Sequence, residues 1–120
     1  MQWGDVWLVT LPFGAGREQR GQRPAVVIQN DQAGLASPLV LTVLFTTQMA
    51  ATRFPGAVTV APDGRNGLAA ASVAMVFQTR ALDRSRFVRR IGVLSRADMA
   101  RILSDLHKLT SPPTADGALG

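Results

Sequence analysis

The chain has 120 residues, a formal net charge of +5 and 47% hydrophobic residues, which is typical of one globular domain and argues against a disordered chain. It contains no cysteine, which excludes disulfides, thiolate catalysis and cysteine-bound zinc. No apolar run approaches the roughly 20 residues that cross a bilayer, and no signal peptide opens the sequence. We therefore expect a cytoplasmic protein with no membrane partner.

The basic residues suggest an anionic partner without identifying it. Apart from Lys108, all of the lysine and arginine positions are arginine. The planar guanidinium suits bidentate contact with phosphate, so nucleic acid is the leading candidate. A general preference for arginine over lysine would give the same composition, and charge alone leaves both explanations open.

Stretches rich in β-branched and other apolar residues predict the strands. They lie at residues 5–11, 24–29, 39–45, 57–60, 71–77 and 88–94, and the fifth can continue after a bend through 78–82. Three consecutive β-branched residues at 26–28 indicate that the second strand is buried on both faces. Residues 12–22 form a polar loop with three glycines, which is long for a hairpin and is therefore a candidate functional loop.

An amphipathic helix follows the predicted strands. Ser95 is a suitable N-cap, with an acid three residues later at Asp98. Apolar residues then recur at helical spacing, at Met99, Ile102, Leu103, Leu106 and Leu109. The predicted fold is mostly β, a small antiparallel barrel or curled sheet capped by this C-terminal helix. We expect residues 1–110 to form one domain and residues 111–120 to be a disordered tail.

The composition also narrows the possible catalysis. His107 is the only histidine and falls in the last turn of the predicted helix, which excludes a mechanism with two imidazoles. The eight acidic residues are scattered without the spacing of a metal site, and no glycine-rich loop leads from a strand into a helix. We therefore expect no metal and no cofactor. Arginine, hydroxyl, amide and a few carboxylate groups remain for polar chemistry.

Arg23 stands where the 12–22 loop becomes the second strand, and Pro24 is predicted to be the first residue of that strand because it lacks an N–H. Considered alone, Arg23 is most simply an exposed arginine at a strand end. If the second and third strands are antiparallel neighbours, however, the start of one lies beside the end of the other. Arg23 and Thr46 would then meet at one rim of the sheet, beneath the loop that carries Glu18.

Several ordered segments resemble the MazF/PemK (Kid-like) toxin family. They are Gly4-Asp5-Val6-Trp7, Glu18-Gln19-x-Gly21-x-Arg23-Pro24-Ala25-Val26-Val27, Thr46-Thr47-Gln48, Gly67-x4-Ser72-Val73-Ala74, and the run from Gln78 to Arg86. The chain then passes through Ile91-Gly-Val-Leu-Ser95 into its helix, as in the family. The resemblance covers roughly residues 3–109, and it lies in the order and spacing of the segments rather than in any one of them.

The resemblance implies a toxin of a type II toxin–antitoxin pair. Such toxins cut single-stranded RNA at short sequences, without a metal and independently of the ribosome. The expected fold is an SH3-like barrel of about five to seven antiparallel strands. The expected partners are single-stranded RNA, a cognate MazE-like antitoxin, and a second copy of the chain that shares the RNA groove.

The resemblance also implies roles for individual residues. Arg23 and Thr46 match the two residues held to be catalytic, and Glu18 matches an acidic loop residue implicated in some members. The implied reaction is attack of a ribose 2′-OH on the adjacent phosphate, giving a 2′,3′-cyclic phosphate and a 5′-OH. Whether Arg23 transfers a proton or only stabilises charge stays open. The predicted RNA-binding residues are Arg17, Gln19, Arg20, Thr47, Gln48 and Arg53.

Two features have more than one explanation at this stage. Trp3 occupies a position that is more often basic in the family, and it either stacks on a base or packs against the core. A cluster of arginines contacts RNA, an acidic antitoxin segment or solvent, and it consists of Arg80, Arg84, Arg86, Arg89 and Arg90.

Two other functions are compatible with a small basic barrel. One is a CcdB-like toxin that binds DNA gyrase without catalysis, although such proteins use an aromatic residue near the C-terminus and this chain ends Ala-Asp-Gly-Ala-Leu-Gly. The other is a barrel that binds RNA without cutting it.

Overall fold

Most of the strands and the helix lie where the sequence predicts them. The computed structural model describes residues 1–11, 21–30 and 37–113. Its strands are β1 (Asp5–Thr10), β2 (Gln22–Val27), β3 (Leu39–Thr46), β4 (Ala57–Val60), β5 (Ser72–Met75), β6 (Arg80–Asp83) and β7 (Phe87–Val93), and its helix is α1 (Arg96–Thr110). Short 3₁₀ turns lie at Met49–Arg53, Val76–Gln78 and Arg84–Arg86.

The strands form one antiparallel sheet centred on β3. The order is β4-β5-β3-β2-β1-β7. β3 is the longest strand: β2 pairs along one of its edges, while β6 pairs with its first half and β5 with its end. This arrangement confirms the predicted mostly-β fold with a C-terminal helix, and it makes β2 and β3 the antiparallel neighbours that the site prediction required.

Both faces of the central strands are buried. Val26, Val43 and Phe45 belong to a core that the α1 residues Met99 and Ile102 complete. A second core on the opposite face contains Val9, Ala25, Leu44 and Leu82. The apolar run in β2 therefore contributes to both cores, as its three consecutive β-branched residues indicated.

Helix α1 begins at the predicted cap. The Ser95 hydroxyl oxygen accepts the backbone N–H of Asp98 at 3.1 Å, which satisfies one of the unpaired donors of the first turn. Met99 and Ile102 are fully buried, so one face of the helix closes the core over the sheet. None of the helices in the described ranges is long and apolar enough to span a bilayer.

The predicted start of the second strand is wrong. β2 begins at Gln22, so Pro24 is its third residue and not its first. The ladder between β2 and β3 starts only at Ala25, which explains why a residue without an N–H is tolerated there. The predicted tail at 111–120 falls largely outside the described residues, since the description ends at residue 113.

Residues 71–82 form two strands, β5 and β6, where the sequence allowed one strand to continue after a bend. A 3₁₀ turn at Val76–Gln78 ends β5, and Thr79 stabilises it by donating both its backbone N–H and its hydroxyl to the Val76 carbonyl. After this turn β6 pairs with the first half of β3, beginning with Arg80 opposite Thr42. The connection from β6 to β7 is another 3₁₀ turn, Arg84–Arg86, capped by the Asp83 carboxylate, which accepts the backbone N–H of Ser85.

Candidate active site

A cleft of about 290 Å³ opens at the rim where β2 begins and β3 ends. Its lining residues come from these two strands, the residues that follow β3, and the start of β5. They are Gln22, Arg23, Pro24, Phe45, Thr46, Thr47, Gln48 and Ser72. The cleft therefore gathers one guanidinium with several hydroxyl and amide groups.

The position of Arg23 relative to Thr46 follows from strand register. Ala25 pairs with Leu44 across the β2–β3 ladder, and the same register continued by two residues sets Arg23 opposite Thr46. Residues directly opposite in an antiparallel ladder direct their side chains to the same face. On the other side of β2, Arg23 pairs with the fully buried Val9 of β1. Both cleft residues are partly buried and are held by sheet backbone.

The Thr46 hydroxyl is oriented by the chain that follows it. Its oxygen accepts the backbone N–H of Gln48 at 3.2 Å. A hydroxyl that accepts one hydrogen bond still carries its own hydrogen, which it can donate to a ligand. The side chains of Thr47 and Gln48 are exposed beside it. The cleft can therefore offer both a cationic fork and a hydroxyl donor to one anionic group.

Sequence reasoning missed three polar or aromatic residues of the cleft: Gln22, Phe45 and Ser72. Ser72 is only 3% exposed, and its hydroxyl donates to the Ala70 carbonyl at 2.9 Å. The β3–β5 register, in which Thr46 pairs with Val73, brings Ser72 opposite Thr47. Ser72 belongs to one of the segments that carry the family resemblance, and that was the available signal.

Other predicted residues lie outside the cleft or outside the described part of the chain. Glu18 lies in the stretch at 12–20, which the structure does not describe. Three of the residues predicted to bind RNA, Arg17, Gln19 and Arg20, lie in the same stretch. Arg53 is exposed at the end of the Met49–Arg53 turn and is not among the lining residues. Thr47 and Gln48 do line the cleft.

The structure gives contacts for both features that the sequence left with more than one explanation, Trp3 and the arginine cluster. Trp3 packs, partly buried, against the helix-side core, which favours the packing explanation. Among the five clustered arginines, Arg90 donates from Nε to the buried Asp5 carboxylate at 3.0 Å, and Arg84 donates from Nε to the Ser37 carbonyl at 2.9 Å. These two arginines therefore have structural contacts within the chain.

Two carboxyl groups outside the cleft have shifted pKa values. The pKa of Asp63 is lowered mainly because its carboxylate accepts the backbone N–H groups of Arg65 and Asn66. The pKa of Asp83 is lowered mainly by hydrogen bonds from Ser85. In the ranges that the structure describes, no three histidine or acidic side chains come together as metal ligands would.

Comparison with known proteins identifies the family of the chain. The family model of the PemK-like, MazF-like toxins of type II toxin–antitoxin systems matches residues 2–110. The chain is 33% identical to Endoribonuclease MazF of Staphylococcus saprophyticus over 102 residues, which is 85% of this chain and 84% of that protein.

Solved structures agree as well. A MazF crystal structure from Deinococcus radiodurans is 28% identical, with a TM-score of 0.70 over 91% of this chain and 94% of that one. A MazE–MazF structure from the same organism is 25% identical, with a TM-score of 0.66 over the same shares of 91% and 94%. The chain therefore belongs to the PemK-like, MazF-like toxins of type II toxin–antitoxin systems, as its ordered motifs indicated.

Proposed function

We propose that this protein is a toxin that cuts single-stranded messenger RNA at specific short sequences, independently of the ribosome and without a metal. The observation that carries the proposal is that Arg23 and Thr46 line one cleft from neighbouring strands, each two residues beyond the Ala25–Leu44 pair. The curated relative is named an endoribonuclease, which supports the same reaction class.

The proposed reaction is an internal displacement at phosphorus. The ribose O2′ attacks the adjacent phosphorus, the P–O5′ bond breaks, and the products are a 2′,3′-cyclic phosphate and a 5′-OH end. The 2′-OH proton passes to a base as the P–O2′ bond forms, and the departing O5′ takes up a proton from solvent water. Arg23 binds two phosphate oxygens and neutralises the charge that accumulates on them at the pentavalent stage.

Thr46 and Glu18 complete the proposed chemistry. The Thr46 hydroxyl, whose oxygen already accepts the Gln48 N–H, donates its hydrogen to a phosphate oxygen. A guanidinium stays protonated throughout the physiological range, so it is better suited to stabilising charge than to accepting a proton. We assign the proton acceptor to Glu18 from its sequence position, five residues before Arg23.

Base recognition is assigned to polar side chains around the cleft. Thr47 and Gln48 are exposed at its edge and can form hydrogen bonds with the edges of unstacked bases. The other proposed RNA contacts are Arg17, Gln19, Arg20 and Arg53. Which bases they select depends on loop conformation.

The proposed partners follow from the same assignment. A MazE-like antitoxin would inhibit by occupying the RNA-binding cleft, and the Deinococcus radiodurans MazE–MazF structure supports such a pairing. We also propose a homodimer with a shared RNA groove, a single toxin domain over residues 1–110, and action in the cytoplasm, where messenger RNA is found.

The test is cleavage of a long single-stranded RNA by purified protein in EDTA. We expect discrete fragments with 5′-OH and cyclic phosphate ends, and no fragments with Arg23→Ala. The matched control is Arg101→Ala, which removes an exposed arginine of α1 that pairs with Asp98. Circular dichroism and thermal melting establish that each variant is folded.

Three results would contradict the proposal. A folded Arg23→Ala protein that cuts normally removes Arg23 from the mechanism. Intact RNA that is nevertheless bound by the wild type indicates a barrel that binds without cutting. Intact and unbound RNA together with gyrase inhibition indicates the CcdB-like function.

A further inference from the structure

A stacked aromatic and cationic surface follows the cleft residues in the chain. The Arg53 guanidinium carbon lies 5.1 Å from the centre of the Phe54 ring, within the range of a cation–π contact. The Phe54 ring in turn packs on Phe77, with ring centres 5.1 Å apart and planes inclined by 40°. Phe77 is partly buried against the core that contains Ala25 and Leu44. Arg53 and Phe54, the two outer members of this stack, therefore rest on Phe77, which packs against the core.

Both members of this pair are exposed to solvent. Phe54 is 44% exposed, so part of its ring is open to a ligand while Phe77 covers another part. The Met49–Arg53 turn that leads to it contains no buried residue and no acid in its first turn. An aromatic ring beside a cation suits a ligand that has both a π face and negative charge.

The surface is continuous with the cleft in two ways. Gln48, which lines the cleft, is also the N-cap of the Met49–Arg53 turn. In addition, β5 runs between the cleft and this surface. Ser72 lines the cleft at one end of β5, and just beyond its other end the Val76 N–H donates to the Gly56 carbonyl. The four residue steps from Ser72 to Val76 correspond to roughly 13 Å of extended chain, a distance that a few nucleotides of single-stranded RNA can cross.

We propose that Arg53 and Phe54 form a platform on which an unpaired base flanking the scissile phosphate stacks. This proposal rests on the proposed function, because it gives the same RNA substrate a second contact outside the cleft. Bases stack on aromatic rings and on guanidinium planes, and every base has a π face. The platform therefore adds affinity with little sequence preference, and it fixes the direction in which the strand leaves the cleft.

A protein partner is the less favoured occupant of this surface. Protein hot spots bury an anchor in a desolvated pocket, whereas this ring lies on a turn without buried residues and has a guanidinium over it. RNA offers a base for the ring and phosphates for Arg53, both supplied by the strand that the cleft holds.

The experiment uses an RNA oligonucleotide that spans a cleavage site mapped on the long RNA. A 2′-deoxy nucleotide at the cut position prevents cleavage, and 2-aminopurine replaces each flanking base in turn. We expect binding of wild-type protein to quench the fluorescence of 2-aminopurine at one flanking position. The variant Phe54→Leu, which keeps apolar packing on Phe77, should lose that quenching, and its Kd for the RNA should rise by roughly five- to 150-fold. The variant Phe54→Trp should retain both.

Two further variants make the result specific. Met49→Ala removes another exposed apolar side chain, 43% exposed, from the same turn and should leave quenching and Kd unchanged. Arg53→Gln tests the platform without altering either ring, and it should weaken binding even if Phe54→Leu is poorly folded.

The outcomes separate this proposal from the proposed function. If wild type cuts RNA but Phe54→Leu and Arg53→Gln bind and quench normally, the platform is overturned and the endoribonuclease stands. If these variants instead alter dimer or antitoxin association while RNA binding stays normal, the surface is a protein contact and the platform is again overturned. If wild type neither cuts nor binds RNA, the proposed function fails first and the platform falls with it.

Discussion

Arg23 and Thr46 line the same cleft from two neighbouring strands, each two residues beyond Ala25–Leu44, the last pair of the β2–β3 ladder. Ala25 and Leu44 are buried. A charged group and a hydroxyl thus flank the buried part of these two strands. Each is paired with a further strand, Arg23 with Val9 of β1 and Thr46 with Val73 of β5, so sheet backbone holds both side chains at the cleft.

Thr46→Val should lower cleavage without unfolding the protein. Valine has nearly the same shape but cannot donate a hydrogen bond to a phosphate oxygen. Loss of a hydrogen bond to a charged group corresponds to roughly ten- to hundred-fold in rate. Single-turnover cleavage of the mapped oligonucleotide measures the effect.

The matched variant for this prediction is Thr46→Ser, which keeps the hydroxyl and removes only the methyl group. It should retain most of the activity. Equal rates for wild type and a folded Thr46→Val protein would mean that the hydroxyl takes no part in the reaction.

The sequence predicted the Arg23–Thr46 pair because it depends on two strongly apolar strands and on one assumption, that they are antiparallel neighbours. Ser72 could not be located in the same way. It joins the cleft only because β5 pairs with the end of β3, a contact between distant segments that no local pattern reveals. The separate strand β6 was missed for a related reason, since the Val76–Gln78 turn that creates it has no strong turn residue.

Two glycines of the connection between β4 and β5, Gly64 and Gly67, should respond differently to alanine, although both have positive φ. Gly64 has φ +79°, and a Cβ added there would meet no other atom, so Gly64→Ala should cost only about 1–2 kcal/mol for the left-handed backbone. Gly67 has φ +74°, and an added Cβ would overlap the Ile91 carbonyl of β7. Gly67→Ala should therefore cost about 1–3 kcal/mol more.

Urea unfolding of the two glycine variants gives the difference directly. Since both substitutions share the backbone strain, the difference isolates the contact between the turn and β7. Equal destabilisation would show that the turn can move away from Ile91 freely, despite the hydrogen bond from the Val93 N–H to the Arg65 carbonyl.

Stability should fall in acid partly through Asp63. Its carboxylate accepts two backbone N–H groups, from Arg65 and Asn66, each at 2.9 Å, and these hold its pKa below the ordinary value of 3.8. A lowered folded-state pKa means that the stabilisation is complete above the unfolded-state pKa. It is lost as the pH falls from about 4 through the lowered folded-state value.

Asp63→Asn provides the test of this pH dependence. Asparagine keeps an acceptor oxygen but does not titrate, so the urea midpoint should vary less with pH in acid than it does for wild type. Asp83→Asn should have a comparable effect through the Ser85 hydrogen bonds, and the double variant should be flatter than either. Identical acid profiles for wild type and Asp63→Asn would contradict the assignment.

A single 2′-deoxy substitution should abolish cleavage at the mapped site while leaving RNA binding nearly unchanged. The proposed nucleophile is the 2′-OH of the nucleotide on the 5′ side of the broken bond, so removing this oxygen removes the attacking group. The phosphate that Arg23 and Thr46 contact is still present, which is why the Kd should be preserved. Deoxy substitution one nucleotide further along is the control and should be cut. Cleavage of the deoxy-substituted bond itself would require water as the nucleophile, and it would leave no cyclic phosphate end.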